Sequence, residues 1–516
     1  MSEQATSTQA GSEEREAFAL RGESIGYYAR TTPDAPSVIV DDEVVTFAAL
    51  DRRANQLVRA LAERGVGPGS SVAMMVTNRV EFVEAWAAAM RGGLRLTPIN
   101  WHLTATEAGY IVENCEASAF IGDADSAGSH HAAGDHLVRL ATGGPIDGFD
   151  DYRAAVEAAP TDPVDAQLGG LMLYTSGTTG HPKGVAKAPG NAVADLLNVN
   201  FVEPGDPCLI TGPLYHAAPL TFGLIFSLQW GAPLVVMPTW DAAEALRLIE
   251  THGVTHVHFV PTMFHRLLAL PDEVRAAADV SSLTRVHHGA APCPVHVKHE
   301  IIEWFGPIIY EYYASTEGGG SNVDSETWLT RPGTVGQPAE GSVVIGTDAA
   351  EPLPIGEVGL IYIQKPPVEF EYHGDPEKTA DTFRLDGFFT LGDLGYMDED
   401  GFLFLTDRSS NLIISGGVNI YPAEIDAVLL THPAVGDGSV VGVPDDEWGE
   451  SVLAVIELKD GYAAGDTLAD EIRAHCREQL ASFKVPRRVE FVDAIPRTDA
   501  GKISRHLLRK QFRELD

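Results

Sequence analysis

Residues 175 to 184 read Thr175-Ser176-Gly177-Thr178-Thr179-Gly180-His181-Pro182-Lys183-Gly184, a string with three glycines, four hydroxyls and one lysine. A loop of this make-up can turn its amide N–H groups and hydroxyls toward one point, which is how backbone cradles a phosphate. The chain as a whole opposes an anion, because its formal net charge is −37. That field is screened beyond about 8 Å at physiological salt. Charge-assisted hydrogen bonds are worth about 1.5–3 kcal/mol each, so a few local donors outweigh it. The spacing is not that of a Walker loop: Pro182 stands where the second glycine belongs, and Lys183 is followed by Gly184 instead of Ser or Thr.

The loop follows a short apolar run, 171–174 (LMLY), and further runs occur at 208–210, 233–237, 256–260 and 307–313. These read as strands, and between them lie helical patterns. One is Asp241–Glu250. Another is Val295–Phe305, where Val297, Ile301, Trp304 and Phe305 share a face. Alternation of this kind over 516 residues means an α/β fold with a largely parallel sheet. The texture changes near residue 408, after turn-rich sequence with Asp-Gly punctuation. Beyond it, helices about 422–430 and 467–480 with strands near 438–443, 451–458 and 488–492 make a small α+β unit. The expected division is a flexible leader over 1–20, a large multi-subdomain α/β portion over 21–408 and a small, mobile C-terminal domain over 409–516.

Composition narrows the function. No basic field exists to drive binding to nucleic acid or anionic lipid. Four cysteines without a CxxC pair argue against a disulfide framework and a cysteine zinc site. The polar, acidic N-terminus has no apolar core of a signal peptide. Pro207 to Trp240 carries no Asp, Glu, Lys or Arg, yet its prolines, His216 and Gln229 favour a buried helix followed by a buried strand over a membrane span. The compartment implied is the cytoplasm.

The ten-residue string resembles the phosphate loop of the adenylate-forming superfamily, which includes acyl- and aryl-CoA synthetases, adenylation domains and luciferases. Residues 61–106 resemble that family's N-terminal region. Tyr313-Ala-Ser-Thr-Glu317, Leu391-Gly-Asp393, Thr406-Asp-Arg408, Ser415-Gly-Gly417, Pro422-Ala-Glu424 and Pro496-Arg-Thr-Asp-Ala-Gly-Lys502 resemble its later motifs, in family order. The likeness spans about residues 24–512 and lies with the acyl-CoA ligase branch.

The resemblance implies ATP-dependent activation of a carboxylic acid through an acyl-adenylate, then transfer to CoA, with magnesium. It implies that Lys502 bridges the carboxylate and the α-phosphate, that Glu317 is the metal ligand and that Thr316 bonds the α-phosphate. Thr175, Ser176, Gly177, Thr178, Thr179, Gly180 and Lys183 would hold the phosphates. Tyr313 would lie against adenine, with Gly289, Ala290, Ala291 and Pro292 on the other side, and Asp393 and Arg408 would hold the ribose. In such enzymes the C-terminal domain rotates after adenylation, withdrawing the lysine and bringing Ser415, Gly416 and Gly417 to a pantetheine path. Tyr215 and His216 resemble the aromatic gate near the carboxylate. Gly318, Gly319 and Gly320 could leave space for a long or bulky acyl group. The substrate expected is a fatty, bulky aliphatic or aromatic monocarboxylic acid, handled without nucleic acid or integral membrane partners and compatible with a homodimer. A carrier-protein thiol or small nucleophile is the rival acceptor, and a nucleotide-binding protein without turnover is the rival class. Ala314, Leu391 and Ser410 depart from the family pattern; the last two put a ribose-side hydroxyl and the hinge electrostatics in doubt.

Overall fold

The computed structural model describes residues 13–175, 182–187, 202–364, 370–408, 411–415, 418–445, 448–498 and 501–513. The side chains of Asp407, Arg408, Asn419 and Arg513 also lie outside the description.

Two eight-stranded sheets form the body of the large portion. In the first, Pro36–Val40, Leu234–Val236, Cys208–Ile210, His256–Phe259, Arg285–His288 and Ile309–Tyr313 run parallel, with Glu43–Thr46 and Ser321–Val323 antiparallel at the edges. The second has a parallel core around Ser71–Met75, Arg95–Pro98 and Ala117–Asp123. Its far edge is antiparallel, built from Gly170–Thr175, Lys183–Lys187 and Phe370–Tyr372. The expected parallel α/β body is present, and Val295–Phe305 is a helix with the bounds its periodicity sets.

Helices Phe47–Glu63 and Val80–Arg91 pack in one core with residues of both sheets. Ten of the twelve residues of Val80–Arg91 are buried, as a helix between two layers must be. Its Ala85, Ala87, Ala88 and Ala89 keep the layers close. The charges that come with it are matched: Glu84 accepts from Arg53, Arg153 and Tyr152, and Arg91 pairs with Asp51.

Between Thr334 and Arg408 a smaller six-stranded sheet follows, with its own aromatic core around Phe370, Phe383 and Phe389. The last hundred residues form the expected α+β unit. Its five-stranded sheet is led by the long hairpin Val435–Asp445 and Gly449–Leu458, and it is covered by Pro422–Leu429, Asp466–Gln479 and Arg505–Arg513. Its core is separate.

Two expectations need correction. Residues 13–19, assigned to a flexible leader, are helical. Ala19 is buried, and the Arg15 guanidinium lies 3.7 Å over the Trp230 ring, a contact that no local pattern announces. The uncharged stretch 207–240 is a buried helical segment and strand, as expected, but seven of its helical residues, Pro219–Ile225, form a π-helix. Among the described residues no helix is long and apolar enough to cross a membrane.

Candidate active site

In parallel sheets, ligands sit beyond the carboxyl ends of the strands. Here the ends of Cys208–Ile210, His256–Phe259 and Ile309–Tyr313 face the antiparallel edge of the second sheet across a cavity of about 2520 Å³. Thr175, Lys183, His216, Ala290, Ala291, Pro292, Tyr313, Thr316, Glu317, Asp393 and Lys502 all line it. These residues are spread over 327 positions of sequence and are brought to one place by topology. Ser176, Gly177, Thr178, Thr179 and Gly180 lie outside the described residues, as do Gly416 and Gly417.

Tyr313 ends its strand with its hydroxyl donating to Asp393 Oδ2 at 2.8 Å. Asp393 in turn is the cross-strand partner of Arg408, whose side chain is not described. Leu391, in place of a hydroxyl residue, packs against the neighbouring apolar core. On the far side of the cavity Ala290 is held at φ +67, a left-handed conformation that costs a non-glycine residue on the order of 1–2 kcal/mol. Gly289 lies behind the lining: a Cβ there would sit 2.6 Å from the Tyr312 carbonyl oxygen.

Glu317 is buried, and its Oε1 accepts from the Tyr372 hydroxyl at 2.8 Å. Burial, and then the Glu317 charge, push the Tyr372 phenol well above its ordinary range. Lys183 lies 5.6 Å from the centre of the Tyr372 ring. Burial lowers the Lys183 ammonium, and the Lys378 charge lowers it further. Lys187 is lowered by burial and partly restored by Glu317. Lys183 thus feels the carboxylates of Asp375 and Glu317 as well as the Lys378 charge, and Lys187 feels Glu317. Sequence reasoning missed Tyr372, Lys187 and Lys378. The signal for Lys187 was present, since Lys183 and Lys187 share one face of a strand at i and i+4. Tyr372 and Lys378 arrive only through pairing of Phe370–Tyr372 with Lys183–Lys187.

No group of three or more His, Cys, Asp and Glu among the described residues could hold a metal ion unaided. A magnesium ion here would be held through one carboxylate together with phosphate oxygens, a donor set that suits that cation. Glu317 fits: one oxygen is fixed by Tyr372, and the carboxylate faces the cavity.

Lys502 belongs to a tight bend. The Thr498 N–H donates to the Lys502 carbonyl oxygen, the Lys502 N–H donates back to Thr498 Oγ1, and Arg497 reaches across to the Gly501 carbonyl at 2.7 Å and to Asp437 at 2.5 Å. The bend meets the large portion at the helix Pro261–Leu268. Gly501, at φ +76, would place a Cβ 2.6 Å from Thr262 Oγ1, and His265 Nε2 lies 2.8 Å from the Gly436 carbonyl oxygen. Ser415 lies at the far end of the small domain's sheet, paired with Gly449, and outside the cavity lining.

Tyr215 is buried beneath His216 and stands edge-on to Trp101 at 4.6 Å. At Gly319 and Gly320 the space expected for an acyl group is already filled. A Cβ at Gly319 would fall 2.2 Å from Ile363 Cγ2, and one at Gly320 would fall 1.6 Å from the Tyr313 carbonyl oxygen. Gly318 is held at φ +131. The missing side chain makes room for the Ile363 side chain at Gly319 and for the Tyr313 backbone at Gly320.

Known proteins agree with this architecture. Residues 27–373 match the AMP-binding enzyme family, and residues 424–502 match the AMP-binding enzyme C-terminal domain. The chain is 36% identical to 2-succinylbenzoate–CoA ligase of Geobacillus kaustophilus over 93% of its own length and 95% of that protein's. It is 34% identical to feruloyl-CoA synthase of an Amycolatopsis species, covering 96% and 100%. Among solved structures it resembles o-succinylbenzoate CoA synthetase of Bacillus subtilis bound to its acyl-adenylate intermediate (TM-score 0.79, 28% identity, 94% and 97% covered). It also resembles an anthranilate CoA ligase bound to anthranoyl-AMP (TM-score 0.85, 26% identity, 96% and 97% covered). The chain belongs to the adenylate-forming superfamily, in its acyl-CoA ligase branch. Its activity is that of an ATP-dependent, AMP-forming acid–CoA ligase, with ATP, magnesium and CoA as the working set.

Proposed function

We propose that the acid is a monocarboxylic acid whose carboxylate meets the α-phosphate of ATP between Thr316 and Lys502, with its body extending past His216. In the first step a carboxylate oxygen attacks the α-phosphorus and pyrophosphate leaves. Two anions are forced together, so positive charge must stand where negative charge builds. Lys502 supplies it at the meeting point, and Lys183, Lys187 and Lys378 supply it along the polyphosphate. Glu317, steadied by Tyr372, would hold magnesium, whose contribution is to neutralise phosphate charge. Tyr313 and Asp393 would hold adenine and ribose, together with Ala290, Ala291, Pro292 and Arg408. In the second step the CoA thiolate attacks the acyl carbon and AMP leaves, with Ser415, Gly416 and Gly417 along the thiol's path.

One observation carries this reading. The bend bearing Lys502 rests on Thr262 and lines the same cavity as Lys183, Thr316 and Glu317. The test is Lys502→Ala. Acyl-adenylate formation, followed as pyrophosphate release, should fall at least a hundredfold, while supplied acyl-adenylate is still converted to thioester. Equal loss of both steps would refute the division of labour. The setting we propose is the cytoplasm, where thiols stay reduced, in keeping with four free cysteines. Light scattering decides between a monomer and a homodimer.

A further inference from the structure

Ala290 is held at φ +67 although it is not glycine, and such a conformation persists only where its surroundings over-determine it. The loop that contains it, 289–294, runs from the end of the strand Arg285–His288 to the start of the helix Val295–Phe305. Both ends of this loop are tied to one atom. Lys298 Nζ, one turn into the helix, donates to Glu311 Oε2 at 2.5 Å, and His288 Nε2 stands 3.6 Å from the same oxygen. His288 and Glu311 are direct cross-strand partners. Glu311 lies two positions before Tyr313 on one strand, so the two side chains share a face.

The group is closed to water. Lys298 and His288 are fully buried, and Glu311 is 7% exposed. The buried Trp328 ring covers the ammonium, with its centre 4.5 Å from Lys298 Nζ. Ala290, Ala291, Pro292 and Tyr313 line the cavity, whereas Lys298 stands behind that wall.

A buried pair of this kind adds little stability over apolar side chains of the same size, because removing two charges from water offsets their attraction. What it adds is direction. A hydrogen bond fixes the rotation of the helix against the strand, where an apolar contact lets the two surfaces slide. Pro292 and Pro294 then pass that position along the loop with little give, since proline presets its own φ.

Resting on the ligase reading above, we infer that Lys298 is a positioning residue for the nucleotide: through Glu311 it holds the loop 289–294 at the spacing from Tyr313 that an adenine ring needs. It touches neither ATP nor the acid.

The experiment follows pyrophosphate release with whichever of benzoate, cinnamate and octanoate the wild type turns over fastest. It compares the wild type with Lys298→Met, with Glu311→Gln and with the double variant Lys298→Met/Glu311→Leu, which replaces both charges by apolar groups of similar size. For each it measures the urea midpoint, KM for ATP and for the acid, and inhibition by adenosine and by tripolyphosphate. Displacing a binding group by about 1 Å costs up to about a hundredfold. In Lys298→Met and in the double variant, KM for ATP should therefore rise at least tenfold, and adenosine should inhibit at least tenfold more weakly. KM for the acid and inhibition by tripolyphosphate, which has no base, should stay within twofold. The double variant should keep its urea midpoint, whereas Lys298→Met leaves a buried carboxylate unpaired and should lose stability. Glu311→Gln keeps an acceptor for Lys298, so its KM for ATP should stay within threefold of the wild type. A wild-type KM for ATP in either Lys298 variant would overturn the inference. So would an equal rise for ATP, the acid and tripolyphosphate, or a tenfold rise for ATP in Glu311→Gln. In each of these cases the wild type still turns over and the ligase reading stands. Absence of pyrophosphate release from the wild type with every acid would sink both.

Discussion

Gly501 offers a way to disturb one pose of the small domain while leaving its fold intact. It sits at φ +76 beside Lys502, and a Cβ added there would lie 2.6 Å from Thr262 Oγ1 and 3.4 Å from Val260 Cγ2. Gly501→Ala therefore has two costs. The left-handed backbone costs about 1–2 kcal/mol for a non-glycine residue, and it is felt whether or not the domain is docked. The collision with Thr262 is felt only when the lysine bend faces the cavity. Relieving a contact some 0.8 Å inside the ordinary limit should cost about 1–2 kcal/mol, in the range for small overpacking. That corresponds to roughly a 5- to 30-fold loss. Pyrophosphate release should fall by that factor, whereas thioester formation from supplied acyl-adenylate should hardly change. Thr262→Ala removes the struck atom, so the double variant should recover most of the adenylation rate, a coupling that a double-mutant cycle measures. Equal loss in both half-reactions, or failure of Thr262→Ala to rescue, would refute the claim that this contact belongs to the adenylating pose.

Two further outcomes are expected. Tyr372→Phe removes the hydroxyl that orients Glu317, so the magnesium concentration for half-maximal pyrophosphate release should rise tenfold or more, with activity restored at high magnesium; an unchanged magnesium dependence would exclude the positioning role. The fold should also weaken in acid through its buried histidines. Burial lowers His258 from 6.5 to about 4, and His287 and His288 lie well below the ordinary range for the same reason, helped by nearby cationic groups. The unfolded chain binds protons that the folded chain refuses, so stability falls as pH drops from 6.5 toward 4. For His258 alone the loss between pH 7.5 and 5 is about 2 kcal/mol. Urea midpoints across that interval check the sign, and His258→Gln should flatten the slope.

Much of this was readable beforehand because local pattern and tertiary environment agreed. The helix Val295–Phe305 had its buried face written at i, i+4, i+7 and i+8, and the parallel strands were short apolar runs because both their faces are covered. Of the residues the ordered motifs pointed to, Lys183, Tyr313, Thr316, Glu317, Asp393 and Lys502 line one cavity, whereas Ser415 does not. What escaped reading depended on distant partners. Tyr372 reaches Glu317 only after its strand pairs with Lys183–Lys187, some 190 positions earlier. The glycines after Glu317 looked like vacant volume, yet at Gly319 and Gly320 the space a Cβ needs is taken by Ile363 and the Tyr313 carbonyl. Residues 13–19 are too short a helix to stand alone and are fixed by Arg15 over Trp230. Pro219–Ile225 sat in an apolar run that suits any buried helix, and nothing in its spacing announced the wider turn.

The grip of Arg497 on Asp437 and on the Gly501 carbonyl comes wholly from within the small domain. The ammonium we propose as catalytic is therefore carried on a hook whose curvature is set within the small domain. If the small domain swings between the two proposed steps, it would carry Lys502 on a preformed tool.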